Sequence, residues 1–240
     1  MSEVTTASTK KSGVFEDILE VLWAPAAVFD RARSNGIGKY ILVLTIILVA
    51  LLLATKGLMQ PYIDANFDLS MQQAAAKGKA PPPEAMATAR NFASYGFLGF
   101  TALYVPFTAV LFGLVLFLAG KFLSAPMQFG QAALVATLST VPRVLSFLAM
   151  AIQGAITDTS NVKSIFDASI GPARFMDATT TSPVILGLVA QLDLFNIWQF
   201  VICAVGISVI ARVERSTGYV AAIVAFAITA ALSILPQALA

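Results

Sequence analysis

The sequence predicts an all-α, polytopic membrane protein with five transmembrane helices, a cytoplasmic amphipathic N-terminal helix and an extracytoplasmic helical hairpin. Two observations predict this class. Of the 240 residues, 58% are hydrophobic and 12% are charged, against about 25% charged residues in soluble domains. From Arg90 to the C-terminus, long and almost uncharged apolar stretches follow one another. A soluble domain cannot bury all of them, so we expect them to lie in a bilayer.

The residue types present exclude most familiar enzyme chemistry. The chain has no histidine and a single cysteine, Cys203, which removes His-based acid/base catalysis, Ser-His triads, zinc centres and disulfides. The sequence also offers no paired carboxylates and no nucleophile beside a base. We therefore predict no catalytic residue, no metal and no cofactor. The net charge of +2 and the dispersed basic residues exclude nucleic acid as a partner.

The N-terminal region divides into two predicted elements. Residues 1–13 are polar and predict a disordered tail, and residues 14–240 then form one membrane domain. In residues 14–33, apolar side chains alternate with charged ones at helical spacing, as in an amphipathic helix that lies on the cytoplasmic membrane face. Trp23 sits at its middle, and Pro25 predicts a kink or a restart. Packing on the protein's own cytoplasmic loops is the open alternative.

Five stretches approach the roughly 20 residues that a helix needs to cross the hydrocarbon core. The predicted spans cover residues 40–58, 95–120, 130–154, 183–211 and 218–235. The first is short, and Lys39 and Lys56 at its ends extend their charges to the two interfaces, so these lysines and Trp23 are the predicted membrane-interface anchors. Pro142 interrupts the third span.

The fourth stretch is too long for one perpendicular span. At about 1.5 Å per residue it would measure about 43 Å, against a core of about 30 Å. It is therefore tilted, or it is broken near residues 191–193. A break would leave residues 183–190 as an interfacial or re-entrant turn.

Two segments are predicted to lie on the outer side of the membrane. Residues 61–94 have helical composition on both sides of a Pro-rich break, which predicts the helical hairpin. Residues 155–182 predict a loop with one short helix around 162–168. Eight lysines and arginines flank the inner ends of the spans and six flank the outer ends, which favours a cytoplasmic N-terminus.

Polar residues inside the third and fourth spans are the candidate functional residues. Along the third span they are Ser139, Arg143 and Ser146, and along the fourth they are Asp193, Asn196 and Gln199. Arg143 and Asp193 lie at similar depths and are able to pair. Alternatively, Asp193 caps the fourth span while Arg143 meets carbonyls freed by Pro142. The two polar stripes predict either a substrate path or interhelical hydrogen bonding.

Three features of the sequence together resemble one family. The stretch of residues 18–29 is amphipathic, with a central Pro25 and a trailing Phe29, and the stretch of residues 192–198 reads LDLFNIW and is followed by Gly206. The third feature is the five-span layout. This arrangement resembles the bacterial branch of the Yip family, membrane proteins named for interaction with Rab-type small GTPases. The resemblance implies a five-span helical domain without an established catalytic site to transfer.

Two functions are expected from these observations. The first is a non-enzymatic scaffold or adaptor in the bacterial inner membrane that engages lipids and an unidentified protein partner. Ala221 and Ala225 begin a small-residue ridge on the last span that serves internal packing or a homo-oligomer. The second is a small transporter or lipid-handling protein whose Arg143 binds a phosphate or carboxylate beside Asp193. A cleft that reaches Arg143 favours the second function, and a sealed contact between Arg143 and Asp193 favours the first.

Overall fold

The computed structural model describes residues 13–79 and 81–239, and side chains as far as Leu235. This part of the chain contains α-helices and short 3₁₀ helices and no strand, which confirms the all-α prediction. Its ten α-helices are α1 (Val14–Glu20), α2 (Pro25–Ala32), α3 (Ile37–Ala76), α4 (Met86–Ala102), α5 (Tyr104–Phe122), α6 (Phe129–Ser139), α7 (Val141–Ile156), α8 (Pro183–Ala190), α9 (Leu194–Ala211) and α10 (Arg215–Leu239). The predicted disordered tail lies outside the described residues, apart from Gly13.

The predicted number of spans is confirmed. Among the described residues, five helical segments are long and apolar enough to cross a membrane. They are Ile37–Ala76, Tyr104–Phe122, Phe129–Ile156, Leu194–Ala211 and Arg215–Leu235. Large apolar side chains on them are exposed, for example Leu42 and Leu53 on α3, as expected for surfaces that face lipid. The chain is an integral, multi-pass membrane protein.

The first two spans differ from the predicted bounds. The helix of the first span does not end at Leu58, because α3 continues through Pro61 to Ala76. Residues 95–102, assigned to the second span, belong instead to α4, and the span starts at Tyr104 after a break at Leu103. Pro106 explains this break, since it has no N–H to donate to the carbonyl four residues earlier.

The third and fourth spans are both interrupted. The third is divided at Thr140 into α6 and α7, with Pro142 in the first turn of α7, where its missing N–H costs least. The fourth is in two pieces, so α8 is separate and the crossing helix, α9, begins at Leu194. The prediction of one span over residues 183–211 is therefore wrong, and the broken alternative is the one observed. The fifth span, α10, starts at Arg215.

The predicted amphipathic helix over residues 14–33 is a pair of short helices, α1 and α2, with the restart at Pro25. We call it the N-terminal helix pair. Its apolar side chains Val21, Val28 and Phe29 are fully buried. The pair packs on the spans α3 and α9, so this face is covered by spans rather than by loops. Its position relative to the bilayer remains a prediction.

Neighbouring spans approach closely at glycines. A Cβ added at Gly113 would lie 2.9 Å from the Cα of Ala133 on α6, and one at Gly154 would lie 1.9 Å from the carbonyl oxygen of Leu58 on α3. A Cβ at Gly218 would lie 2.0 Å from the hydroxyl of Ser208 on α9. Because glycine has no side chain, the helix backbones can approach this closely. Helix association in lipid depends on such close packing. Ala221 and Ala225, which begin the ridge on α10, are buried inside the molecule.

Helices α3 and α4 form a hairpin beyond Leu58. Arg90 on α4 forms ion pairs with Asp68 and, at 3.3 Å, with Asp64, and it lies 4.8 Å from the ring centroid of Phe67. These contacts hold the two helices side by side. The hairpin's extracytoplasmic position remains a prediction.

Residues 157–182 form a loop with three 3₁₀ helices, Thr159–Asn161, Ile165–Ala168 and Pro172–Phe175. The second stands where the short helix around 162–168 is predicted. Asp177 accepts hydrogen bonds from the backbone N–H and the hydroxyl of Thr179. Its carboxylate also forms an ion pair with Lys163 at 3.1 Å. The hydrogen bonds from Thr179 and then the Lys163 ammonium lower the pKa of Asp177 to about 2.

Candidate functional site

Asp193 joins the start of α9 to the loop that precedes α8. Its Oδ1 accepts a hydrogen bond from the backbone N–H of Phe195 at 2.9 Å, which caps α9. Its Oδ2 accepts from the hydroxyl of Ser169 and from the backbone N–H of Ile170, both at 2.8 Å. The capping role predicted for Asp193 is therefore observed, together with a contact to the loop that the sequence did not indicate.

The loop lies directly against the α8–α9 turn. The backbone N–H of Leu194 donates to the carbonyl of Ile170 at 3.0 Å, and a Cβ added at Gly171 would lie 2.9 Å from the Cα of Asp193. Only glycine permits this approach. The loop therefore forms a fixed wall beside the N-terminal end of α9.

Arg143 lies in the first turn of α7, within the third span. Its guanidinium makes no hydrogen bond and no ion pair with any described residue. The expected pair with Asp193 is not formed, because Asp193 is already held by Ser169 and backbone groups. The alternative contact of Arg143 with carbonyls freed by Pro142 is not formed either. Arg143 instead receives a hydrogen bond only on its own carbonyl, from the hydroxyl of Ser146 at 2.6 Å.

Arg143 faces a cavity of about 240 Å³ that we call the Arg143 cavity. Its wall combines α7, the 3₁₀ helix Ile165–Ala168 and the α8–α9 turn. The polar side chains of this wall are Arg143, Ser146, Ser169, Gln191, Asp193 and Asn196, and its larger apolar ones are Phe147, Met150, Ile165, Phe166 and Phe195. The cavity thus presents one unpaired cation, one satisfied carboxylate and several hydroxyl and amide groups.

The other predicted polar residues divide between cavity and core. Asn196 lines the cavity, and its amide donates to the carbonyl of Ala190 at 3.1 Å. Ser139 and Gln199 are buried outside the cavity lining. The hydroxyl of Ser139 donates to the carbonyl of Ala136 at 3.0 Å. The two stripes are therefore not a continuous polar path along the described spans.

Sequence reasoning missed the loop's share of the cavity. Ser169 and the neighbouring residues of Ile165–Ala168 line it, although they belong to an irregular segment without a periodic pattern. Gln153 of α7 helps to hold them, because its amide donates to the carbonyl of Ala168 at 2.7 Å. The only available signal was a polar residue, Gln153, recurring at helical spacing on the third span.

The N-terminal helix pair and α9 meet through the residues on which the family resemblance rests. The indole N–H of Trp198 donates to the carbonyl of Leu22 at 3.1 Å. The ring of Phe29 lies against Gly206, where an added Cβ would be 2.7 Å from two ring carbons. Two segments more than 160 residues apart are thereby packed into one interface.

The sequence-family model of the Yip1 domain matches residues 19–235, which is nearly the whole chain. The chain belongs to the Yip1 domain family. No curated protein and no solved structure matches it. The matched region of this Yip1 domain includes Leu22 and Phe29 together with Trp198 and Gly206, so both halves of the interface lie within the domain.

A polar cluster links the N-terminal helix pair to the first span. The carboxylate of Asp17 accepts from Arg31 at 2.6 Å and from the hydroxyl of Tyr40 at 2.6 Å. Arg31 also donates to Glu20. The hydrogen bond with Glu20 is the largest influence that raises the pKa of Arg31, and Asp17 adds to it. The cluster contacts α1, α2 and α3 together.

The predicted interface anchors have different surroundings. Trp23 is 70% exposed in the turn between α1 and α2, and Lys39 is exposed in the first turn of α3. Lys56 is half-buried, and its ammonium lies 4.9 Å from the ring centroid of Tyr95 on α4. Their roles as anchors remain predictions.

Proposed function

We propose that this Yip1-domain protein is a non-enzymatic, lipid-handling membrane protein that binds an anionic group at Arg143. The observation that carries the proposal is the unpaired guanidinium in a cavity at the middle of the third span. A charged side chain at membrane depth costs at least about 2.5 kcal/mol on insertion scales. A ligand anion would supply the partner that the described part of the protein does not.

The chemistry of the guanidinium selects the ligand class. Its planar set of donors matches the oxygens of a phosphate or a carboxylate, which it contacts in a bidentate manner. Asp193 does not compete for it, because three hydrogen bonds hold that carboxylate on the loop and on α9. Ser146, Asn196 and Ser169 add hydroxyl and amide groups around the same cavity.

In-cell crosslinking followed by mass spectrometry of the purified protein tests this function. The variant is Arg143→Ala, and the matched control is Arg174→Ala, an exposed arginine on the 3₁₀ helix Pro172–Phe175. We expect a recurrent anionic lipid or metabolite with the wild type and with Arg174→Ala, and none with a still folded Arg143→Ala. Equal recovery from all three proteins would contradict the proposal.

A scaffold or adaptor role is the second candidate. It is favoured by the exposed face of the N-terminal helix pair. Phe15, Leu19 and Trp23 follow one another at helical spacing and are exposed, while the opposite side is buried against α3 and α9. This apolar stripe suits a lipid or protein partner. In the same crosslinking experiment, a defined protein partner that is retained by Arg143→Ala and lost from Trp23→Ala would support this role.

A further inference from the structure

The Arg143 cavity is adjacent to an apolar groove on the membrane-spanning helices, and the two share lining residues. The groove has a volume of about 330 Å³ and lies between α8, α9 and α10. Its apolar side chains are Leu188, Ile197, Phe200, Phe226, Ala227 and Ala230. Its two polar side chains, Gln191 and Asn196, also line the Arg143 cavity. We call this volume the α9–α10 groove.

We infer that the ligand of Arg143 is a phospholipid, with its phosphate at the guanidinium and an acyl chain in the α9–α10 groove. This inference rests on the proposed function, since it names the ligand of the same site. The polarity of the two adjacent cavities follows that of such a lipid. A cation lines the Arg143 cavity, two amides line both cavities, and aliphatic and aromatic side chains line the groove.

The size of the two cavities supports an amphiphile over a free anion. Ligand sites have volumes of about 300–1,000 Å³; the Arg143 cavity alone is below that range and the groove alone is just above its lower end. A free phosphate would use the Arg143 cavity and leave the groove without an occupant. A phospholipid fills both volumes with groups of matching polarity.

The position of the groove provides a direct route for the lipid. Ile197 and Phe200 lie on α9 and Ala230 lies on α10, and both helices are candidate membrane spans. Ala227 is exposed and Ala230 is partly exposed, so the groove is open at the surface that faces lipid. An acyl chain therefore enters from the bilayer without crossing water, while the phosphate of the same lipid lies at Arg143 in the adjacent cavity.

Binding measurements on the full-length protein in detergent, by native mass spectrometry, test the inference. The probes are dilauroyl phosphatidylglycerol and inorganic phosphate. Ala230→Trp fills the groove from the lipid side, and Leu232→Trp, on the opposite face of α10, is the control. We expect Ala230→Trp and Arg143→Ala each to lower lipid affinity at least tenfold, and Leu232→Trp to leave it unchanged. Inorganic phosphate is expected to bind the wild type far more weakly than the lipid.

The outcomes separate this inference from the proposed function. If Ala230→Trp binds the lipid as the wild type does while Arg143→Ala does not, the acyl chain is not in the groove and the anion site stands. If inorganic phosphate binds as tightly as the lipid, the ligand is a free anion. If Arg143→Ala binds the lipid unchanged, the proposed function fails as well. Ala227→Trp, at an exposed position, replaces Ala230→Trp if that variant does not fold.

Discussion

At the scale of single residues, Asp193 acts as a structural joint beside the cavity. It is 7% exposed and holds both the first turn of α9 and the loop at Ser169 and Ile170. A hydrogen bond to a charged group contributes about 1.5–3 kcal/mol, and loss of an N-cap costs about 0.5–2 kcal/mol. Asp193 therefore stabilises the wall on which the proposed ligand site depends.

We expect Asp193→Ala to destabilise the protein by about 2–3 kcal/mol, because three donors, one of them buried, lose their acceptor. A thermal melt in detergent measures the change. Asp158→Ala is the matched control, since Asp158 caps Thr159–Asn161 through one hydrogen bond at an exposed position. A melting temperature of Asp193→Ala equal to that of the control would show that Asp193 does not hold the loop.

At Gly206, α9 lies in close contact with α2. An added methyl group would lie 2.7 Å from the buried ring of Phe29 and 3.1 Å from Val135. Overpacking of this kind costs about 1–3 kcal/mol. We expect Gly206→Ala to loosen the N-terminal helix pair, measured as faster limited proteolysis near Pro25.

Gly57→Ala is the control for Gly206→Ala. Both glycines are inside helices, but nothing lies within 4 Å of a Cβ added at Gly57. In that helix alanine is favoured over glycine by up to about 1 kcal/mol. Proteolysis of the two variants at the same rate would refute the packing argument.

At the scale of elements, the N-terminal helix pair follows a different path from the single helix, lying flat on the membrane, that the sequence predicts. Trp198, which contacts Leu22, is in the second turn of α9, and Ala211 at the end of α9 is about 20 Å farther along the axis. The turn between α1 and α2 thus reaches the N-terminal end of a span. Residues 21–29 around this turn carry no charge.

We therefore expect Trp23 to lie within the acyl region of the bilayer. In nanodiscs that contain acyl-chain-brominated lipid, the fluorescence of Trp198→Phe, which retains Trp23, should be strongly quenched. Trp23→Phe, which retains the half-buried Trp198, is the comparison. Quenching of Trp23 by aqueous iodide instead of by bromine would place the helix pair at the surface, as the amphipathic interpretation of the sequence has it.

At the scale of the whole molecule, the connections between the helices define two ends. Residues 33–36, 123–128 and 212–214 connect elements at one end. Residues 157–182 and the α3–α4 hairpin lie at the other, where Gly154 meets Leu58. The lysine and arginine counts predict that the first end is cytoplasmic.

Cysteine labelling in intact cells checks this orientation. Ser34→Cys and Ser160→Cys place exposed thiols at opposite ends, and the native Cys203 is fully buried. A membrane-impermeant maleimide is expected to label Ser160→Cys in intact cells and Ser34→Cys only after permeabilisation. The reverse labelling pattern would show that the same fold has the opposite orientation in the membrane.

The sequence by itself determined the membrane class, the five spans and the breaks at Pro25 and Pro142, because hydropathy and the missing proline N–H act over a few neighbouring residues. It also carried the residues of the family resemblance. It placed the bounds of the second and fourth spans poorly, since residues 95–102 of α4 and all of α8 are apolar and their hydropathy continues across the breaks into α5 and α9. Apolar composition alone does not mark where a helix breaks.

Only the tertiary structure decided what the polar residues do. From the sequence, Arg143 and Asp193 were equally able to pair or to remain apart. In the fold, Ser169 and Ile170 of an irregular loop satisfy the carboxylate, and the guanidinium is left facing a cavity. The contact between Leu22 and Trp198 could not be predicted from the sequence either. Such contacts depend on the distances between segments that are remote in the chain. The packing of the complete helix bundle sets these distances, and the local sequence pattern does not encode them.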